Sequence, residues 1–331
     1  MGSIPEQLPR GHCQLYTQEQ LARYLEFINP DPSYSLAALQ SEISQDPLAA
    51  LSLLQLRQNC ATVWGNVALH YSWHRSLPLD PDTLYHKIVE RRLGGYCMEN
   101  NMFFSTILRS LGYDLYVTGA RISNALMGGS RDPEGFAGWQ HEVIIVTISG
   151  RHYLVDVGFG SGSPVDPIPL TKDSEQERGS VPGSFVRLVH RHIAPNTTSH
   201  KAWVLELKNT TTNRWSGGYC FTEFEWLPQD FEIINYRTSK DPKSWFTYKL
   251  VLVRTLIDEE TRTKAIGTII LTERKVERRL GTGKKEVLVE AKSEAERVQA
   301  LRQWFGIVLT PEEERGIRSL ATEITSEIVN V

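Results

Sequence analysis

The sequence predicts an α+β protein of three successive segments, because the spacing of its apolar residues changes twice along the chain. Residues 1–112 carry apolar positions at helical spacing, residues 113–228 consist of short β-rich runs, and residues 229–331 mix both patterns. At 331 residues the chain is also too long for one ordinary core. We therefore expect a helical, a β-rich and an α/β domain in that order.

Two helices are predicted ahead of residue 90. Thr17 to Gln20 has the pattern of a capping box, and we expect Pro30 and Pro32 to end the helix that follows. Asp80 caps a second helix, and Pro81 fits its first turn because proline lacks an N–H that this turn would leave free. Both signals mark helix starts, so the first segment is predicted to be mainly helical.

The middle segment is predicted to consist of strands. His141–Ile148 and Arg151–Val157 are apolar runs joined only by Ser149-Gly150, which is the pattern of a β-hairpin. Residues 171–200 are polar, and we expect a long surface insertion there. Further strands are predicted over residues 115–122, 202–207, 215–222, 249–256, 268–272 and 286–290, and further helices over residues 293–304 and 311–328.

The composition is that of a soluble globular protein, with 40% hydrophobic and 23% charged residues and a formal net charge of -3. This balance argues against nucleic acid or an anionic membrane as a partner. No apolar run is long enough to span a bilayer, and we expect no secretory signal. The four cysteines form no Cys-x-x-Cys pair, so we expect neither a metal site nor a disulfide framework, and a cytoplasmic location: Cys13, Cys60, Cys97 and Cys220.

The densest chemical signal is the run Arg92-Leu93-Gly94-Gly95-Tyr96-Cys97-Met98-Glu99-Asn100. Its two glycines permit a tight turn, and Cys97 stands where a helix is predicted to begin and run to Gly112. The partial positive charge of a helix N-terminus favours thiolate over thiol, and the thiolate is the nucleophile. Cys97 is therefore a candidate nucleophile. The alternative is a buried structural cysteine behind a Gly-Gly turn.

A cysteine nucleophile needs a base, and the base needs a group that orients it. With Ser149-Gly150 as the hairpin loop, counting back along both strands places Val143 opposite Asp156. His141 shares a strand face with Val143, so its imidazole can meet the Asp156 carboxylate. A carboxylate inside an apolar run is costly unless it is paired, which favours a His–Asp pair over an ordinary surface histidine.

With these residues in hand, the sequence resembles the arylamine N-acetyltransferase family. The run from Arg92 to Asn100 is similar to that family's signature Arg-Gly-Gly-(aromatic)-Cys-x-Glu-x-Asn. Either Leu93 is inserted after the arginine, or the pair Arg91-Arg92 is shifted by one position. Residues 146–160 resemble its triad strand pair, and residues 231–246 resemble its third-domain coenzyme segment. The resemblance covers residues 80–246, and the polar stretch that follows the aspartate is more typical of eukaryotic, fungal-like members.

The resemblance implies a three-domain architecture with the triad arrangement of a cysteine protease. Residues 1–112 would form a helical domain that carries the nucleophile, and residues 113–228 a central antiparallel β-barrel-like domain that carries the histidine and the aspartate. Residues 229–331 would form an α/β lid that contributes to coenzyme A binding.

The resemblance also implies a reaction, namely ping-pong acyl transfer from acetyl-CoA, as co-substrate, to the nitrogen of an arylamine or arylhydrazine in xenobiotic metabolism. Cys97 matches the nucleophile, His141 the base and Asp156 the orienting acid. Phe159 matches a residue that lines the amine pocket. No metal cofactor is implied.

Two weaker matches concern the coenzyme. Gly138 matches a position where the family's backbone approaches coenzyme A, and Ser244 matches a serine near the coenzyme. The serine cluster that the family has around this position is absent, and malonyl- or propionyl-CoA is therefore the alternative donor. The residues that replace the cluster are Asp241, Lys243 and Trp245.

Three further points stay open. Val63-Trp64-Gly65-Asn66 stands where the family often has Pro-Phe-Glu-Asn, so the shape of the pocket is not fixed by the resemblance. The charges of Glu273–Lys285 predict a solvated ribbon, with a contact to the phosphates of coenzyme A as the alternative. The competing functions are a transglutaminase- or protease-like cysteine enzyme and a binding protein without catalysis.

Overall fold

Helices form most of the first third of the chain. The computed structural model describes residues 14–29, 31, 33–127, 132, 134–171, 178–179, 181–194, 196–210 and 213–325. The helices here are α1 (Gln18–Ile28), α2 (Leu36–Gln45), α3 (Pro47–Ala61), α4 (Val67–His70), α5 (Pro81–Tyr85) and α6 (Cys97–Ser110), and a π-helical turn covers His86–Glu90. The predicted capping box of α1 and the Asp80 cap of α5 are both present. Pro30 and Pro32, which are predicted to end α1, lie outside the described residues.

The strands in the described part of the chain form two antiparallel sheets. The first five strands are β1 (Trp64–Gly65), β2 (Asp114–Ser123), β3 (Phe136–Ile148), β4 (Arg151–Val155) and β5 (Ile168–Pro169). The others are β6 (Arg178–Gly179), β7 (Ser184–Arg191), β8 (Ala202–Asn209), β9 (Ser216–Phe221), β10 (Val251–Ile257), β11 (Ala265–Thr272), β12 (Lys275–Leu280) and β13 (Glu286–Glu290). The remaining α-helices of the described residues are α7 (Asn124–Met127), α8 (Pro228–Lys240), α9 (Glu294–Phe305) and α10 (Pro311–Arg315).

The larger sheet has the strand order β5-β4-β3-β2-β9-β8-β7-β6 and forms a nearly closed barrel. The smaller sheet has the order β1-β10-β11-β12-β13. Together with the helices these sheets confirm the predicted α+β fold class. Within the described ranges of the chain, no helix is long and apolar enough to cross a membrane.

The hairpin of β3 and β4 has the predicted register. Ile148 pairs with Arg151 and Ile144 pairs with Val155, so Ser149 and Gly150 form the loop. Both loop residues have positive φ, at 50° and 73°, as a tight two-residue turn requires. This turn fixes which side chains of the two strands share a face.

Strand β3 is buried on both faces, which explains why its sequence is continuously apolar. Val143 and Ile145 pack inside the barrel, while Ile144 and Val146 pack against the core of the helical segment. The strand therefore belongs to two hydrophobic cores at once, and it holds helix α6 against the outside of the barrel.

The helical segment is also joined to the smaller sheet. Trp64 of β1 pairs with Val253 of β10, although the two strands are far apart in the sequence. The side-chain amide of Asn66 donates to the carbonyl oxygen of Phe246 at 2.8 Å, and its oxygen accepts from the backbone N–H of Val251 at 2.9 Å. The segment Val63-Trp64-Gly65-Asn66 is thus where these two parts of the molecule meet.

The predicted surface insertion at residues 171–200 is wrong at residues 184–191. Strand β7 lies inside it, and Val186 and Leu188 are buried in the barrel core. Apolar residues alternate here with polar ones such as Arg187, and this alternation is the pattern of a strand with one buried face. The polar composition of the stretch as a whole conceals it.

The predicted helix at residues 311–328 is also wrong beyond its first turns. Helix α10 ends at Arg315, and Ser319 has φ of 64°, a left-handed conformation that cannot continue a helix. The turn that follows buries Ile317 against the smaller sheet. Residues after 325 lie outside the described part of the chain.

Helix α8 is not among the predicted elements. Phe231, Ile234 and Thr238 are buried on one face at helical spacing. Ile233 and Tyr236 are each 70% exposed on the opposite face. Apolar residues therefore occur on both faces, and the sequence does not show a clear amphipathic helix.

Replacing Leu188 with alanine tests the reassignment of residues 184–191 as a core strand. We expect Leu188→Ala to lower the free energy of unfolding by about 2–5 kcal/mol in urea titration, because it leaves a cavity in the barrel core. Leu280→Ala, at a side chain that is 46% exposed, is the matched control and should cost far less. Equal losses in the two variants would contradict the assignment.

Candidate active site

The turn before helix α6 is shaped by a close approach of two backbones. Gly94 has φ of 65°, and a Cβ atom at this position would lie 2.0 Å from the carbonyl oxygen of Val63. The next glycine, Gly95, donates its N–H to the same carbonyl at 3.1 Å. Only glycine fits this approach, and the turn delivers Cys97 as the first residue of α6.

A buried ion pair supports the start of α6. The Glu99 carboxylate accepts from the backbone N–H of Tyr96 at 3.2 Å, and its other oxygen is held by the ammonium group of Lys87. The Glu99 side chain is 1% exposed. The contact with Lys87 therefore supplies the partner that a buried carboxylate requires.

Cys97 is buried next to the strand that carries His141. Its Sγ lies 3.7 Å from the carbonyl oxygen of Gln140, to which the thiol can donate. Burial raises the pKa of the Cys97 thiol, and the backbone N–H of Met98 opposes this effect only in part. The helix N-terminus acts in the predicted direction, but desolvation of the sulfur outweighs it, so the helix terminus alone does not make Cys97 a thiolate.

The structure brings His141 and Asp156 together. Nε2 of His141 donates to Oδ2 of Asp156 at 2.8 Å, and both side chains are buried. The carboxylate also accepts from the backbone N–H of Gly158 at 2.7 Å. Burial favours the neutral acid, but the charge and hydrogen bond of His141 and the other donors together lower the pKa of Asp156.

Asn101 is a residue of this site that sequence reasoning missed. Its amide donates to Oδ1 of Asp156 at 2.9 Å, and its oxygen accepts from the backbone N–H of Val157 at 2.9 Å. The same amide donates to the carbonyl oxygen of Glu142 at 2.5 Å. In the family signature Cys-x-Glu-x-Asn, the asparagine corresponds to Asn101. The match described from the sequence ended one residue earlier, at Asn100.

The loop after Asp156 lies against the N-terminus of α6. A Cβ atom on Gly158 would lie 2.5 Å from the carbonyl oxygen of Cys97, so only glycine permits the contact. On its other side, the indole N–H of Trp64 donates to the carbonyl oxygen of Gly158 at 2.6 Å. Gly158 is therefore held between the cysteine helix and the segment that departs from the family pattern.

The site contains a second fully buried acid. Glu142 is fully buried beside His141 in β3, and neither of its carboxyl oxygens has a hydrogen-bond partner among the described residues. Burial raises the pKa of Glu142 well above its usual range, although Arg109 opposes this effect. Burial thus favours the neutral form of Glu142, whereas the donors around Asp156 favour its ionised form.

Cys97 and His141 both line a cavity of about 500 Å³. Aromatic rings form much of its wall, and Phe159 lies 5.4 Å from the His141 ring and 4.8 Å from that of Tyr219, measured between centroids. The other aromatic lining residues are Trp64, Phe185, Trp245 and Phe246. A flat aromatic molecule fits such a wall.

The structure does not bring Gly138 and Ser244 to this cavity. Gly138 is exposed in an irregular stretch of β3, and Ser244 precedes a short 3₁₀ turn. The residues of that turn that do line the cavity are Trp245 and Phe246. Over the described ranges, no group of three or more His, Cys, Asp or Glu side chains could hold a metal ion.

The cysteine helix and the histidine–aspartate hairpin both lie within the part of the chain that matches a known family model. A model described as N-acetyltransferase matches residues 47–314. The chain belongs to the arylamine N-acetyltransferase family. It is a fungal-like member, since it is 35% identical to N-malonyltransferase FDB2 of Fusarium pseudograminearum (strain CS3096) over 91% of this chain and 92% of that protein.

Solved structures of arylamine N-acetyltransferases have the same fold. That of Mycobacterium abscessus aligns with a TM-score of 0.72 at 23% identity, over 94% of this chain and 98% of the other. The Mycobacterium marinum protein, solved in complex with CoA, aligns with a TM-score of 0.67 at 24% identity, over 87% and 92% of the two chains.

The lowered pKa of Asp156 predicts a pH-dependent contribution to stability. Because the folded pKa lies below the unfolded value of about 3.9, the contribution is complete above that pH and is lost as the pH falls below it. We expect the difference in unfolding free energy between the wild type and Asp156→Asn to shrink from about pH 5 to about pH 3 in urea titration. A difference that stays constant over this range would contradict the assignment.

Proposed function

We propose that this acyltransferase moves an acyl group from acyl-coenzyme A to the nitrogen of an arylamine or arylhydrazine through an acyl-Cys97 intermediate. The observation that carries the proposal is the placement of Cys97 and His141 on one cavity, with Asp156 bonded to the imidazole at 2.8 Å. Membership of the family and the aromatic wall of the cavity support the same conclusion.

The first half-reaction loads the enzyme. Nε2 of His141 is bonded to Asp156, so Nδ1 is the nitrogen that accepts the proton of the Cys97 thiol. The thiolate attacks the thioester carbonyl, and the tetrahedral intermediate collapses to acyl-Cys97. The coenzyme A thiolate leaves and takes up the proton from the imidazolium.

The second half-reaction transfers the acyl group to nitrogen. An arylamine attacks the carbonyl carbon of acyl-Cys97, and Nδ1 of His141 removes a proton from the amine. Collapse of the tetrahedral intermediate forms the amide and releases the Cys97 sulfur, which regains a proton from the imidazolium. Because coenzyme A departs before the amine reacts, the kinetics are ping-pong.

The charge of Asp156 is what makes the proton transfers possible. Burial makes a lone Cys97 thiolate costly, so the sulfur ionises only together with protonation of His141. The resulting imidazolium is stabilised by the ionised Asp156, which is itself held by Asn101 and the N–H of Gly158. Asp156 also fixes the tautomer of the neutral ring.

A specific observation favours malonyl-CoA as an alternative donor to acetyl-CoA. The fungal relative that is 35% identical over most of both chains bears the name N-malonyltransferase. Propionyl-CoA is a further alternative. All three donors share the same chemistry at the thioester carbonyl, so the proposed mechanism is the same for each.

Incubation with an acyl-CoA alone tests the proposal. We expect one acyl group on Cys97, detected by intact mass and peptide mapping after mixing with acetyl-, propionyl- or malonyl-CoA, and we expect an arylamine to remove it. The donor that loads fastest is the preferred one. The variants Cys60→Ser and Cys220→Ser are matched controls at other buried cysteines and should load normally.

Three outcomes separate this proposal from its competitors. No adduct from any of the three donors would favour a transglutaminase- or protease-like cysteine enzyme. An adduct that persists in Cys97→Ser would overturn the assignment of the nucleophile. An adduct that no arylamine or arylhydrazine removes would contradict the proposed acceptor.

A further inference from the structure

A second cavity adjoins the one that contains Cys97. It has a volume of about 210 Å³ and shares Ser161, Ser184 and Ile270 with the first cavity. Ser161 belongs to the loop that follows Asp156, within the 3₁₀ turn Gly160–Gly162, and it lines both cavities. A long substrate that reacts at Cys97 can therefore extend past this loop into the second cavity.

The second cavity is lined by three basic residues and one acidic residue, Glu277, and two of the basic residues already have acidic partners. Arg278 donates to Glu286 at 2.8 Å and 3.1 Å, and Lys285 lies 3.8 Å from Glu277. Arg279 differs, because no carboxylate in the described parts of the chain forms an ion pair with it. Its Nε is buried and has no hydrogen-bond acceptor there.

An unpaired guanidinium of this kind is unfavourable. Arginine remains charged at every pH that the enzyme meets, and a buried N–H without an acceptor has lost its water without replacement. A phosphate or carboxylate in the cavity would remove this penalty, since the planar guanidinium forms two parallel hydrogen bonds to either group. The cavity therefore has the chemistry of an oxyanion site.

The Arg279 side chain lies where the two sheets of the protein meet. Arg279 pairs with Thr268 in the smaller sheet, and its Nη2 lies close to Gly183 in the turn before β7 of the barrel. A Cβ atom on Gly183 would be 3.4 Å from that nitrogen. The site thus combines residues from both sheets, as does the cavity that it adjoins.

The charged residues that line the first cavity also favour an anionic substrate. Its charged lining residues other than His141 are Lys208 and Arg214, and none of the described residues that line it is an aspartate or a glutamate. An anionic substrate therefore meets positive charge both in the first cavity and at Arg279.

We propose that Arg279 binds a phosphate group of the coenzyme A donor in the second cavity. This inference rests on the proposed function and adds a residue to it. A short acyl group bonded to Cys97 stays in the first cavity, whereas the phosphates lie at the far end of the pantetheine arm. In this proposal, Arg279 is the residue of the basic ribbon Glu273–Lys285 that contacts the coenzyme. Ser244 lines neither cavity and is not required for this contact.

The test compares donors with and without phosphates in the variant Arg279→Gln. In a ping-pong enzyme kcat/KM for the donor is independent of the acceptor, so each substrate is assayed separately. We expect Arg279→Gln to lower kcat/KM for acetyl-CoA about tenfold or more, the usual weight of a charge-assisted hydrogen bond. S-acetylpantetheine, which has no phosphate, should react equally well with both enzymes, and kcat/KM for the amine should not change.

Two further variants control for charge. Arg274→Gln removes the same charge from an exposed position on the turn before β12 and should behave like the wild type. Arg279→Lys keeps the charge but loses the two-pronged geometry, and it should recover part of the loss. Thermal unfolding of each variant shows whether the fold is intact.

Several results would overturn the inference. One is a wild-type kcat/KM for acetyl-CoA in Arg279→Gln. Another is an equal loss of kcat/KM with S-acetylpantetheine, which would indicate a structural role. A loss seen with aminobenzoate but not with aniline would assign the site to the carboxylate of an acceptor.

Calorimetric titration with coenzyme A separates this inference from the proposed function. If the wild type transfers no acyl group from any thioester, the proposed function fails. Weaker binding of coenzyme A by Arg279→Gln would still support the phosphate site, and equal binding would still refute it.

Discussion

The carboxylate of Asp156 is the point on which the active-site geometry depends. It is buried where the barrel hairpin meets the cysteine helix, and it accepts hydrogen bonds from His141 on the barrel and Asn101 on the helix. An ionised carboxylate at such a position requires several donors, and the site supplies three. The same bonds that satisfy the charge therefore fix the relative positions of the histidine and the cysteine helix.

In the proposed mechanism the sulfur and the imidazole act as one unit. Burial disfavours a free thiolate at Cys97, and the start of helix α6 does not reverse this. Separation of charge into thiolate and imidazolium is feasible because Asp156 stabilises the imidazolium at a short distance. Because the His141 and Asp156 side chains are both buried, solvent screens the attraction between them little.

The sequence predicts the hairpin well because its register depends on local chemistry. Ser149 and Gly150 can form a two-residue turn, and the turn alone determines that His141 and Asp156 share a face. The helix start at Cys97 is local in the same way, because it depends on the two glycines before it.

Features that depend on distant contacts were not predictable in this way. The role of Asn101 depends on contacts with Glu142 and Asp156, which are 41 and 55 residues away in the chain, and its position follows only from the packing of α6 on β3. Strand β7 lies in a mostly polar stretch, so its sequence does not indicate a core strand. Its two buried side chains become evident only from the packing of the barrel. The pairing of β1 with β10 likewise joins segments that no local pattern relates.

The pH dependence of Cys97 alkylation tests the central claim most directly. Iodoacetamide reacts with the thiolate, so its rate at Cys97, followed by peptide mapping, reports how much thiolate is present at each pH. The account predicts that the wild type reacts near neutral pH, whereas His141→Gln reacts only at strongly alkaline pH because burial then acts alone. Superimposable profiles for the two proteins would contradict it.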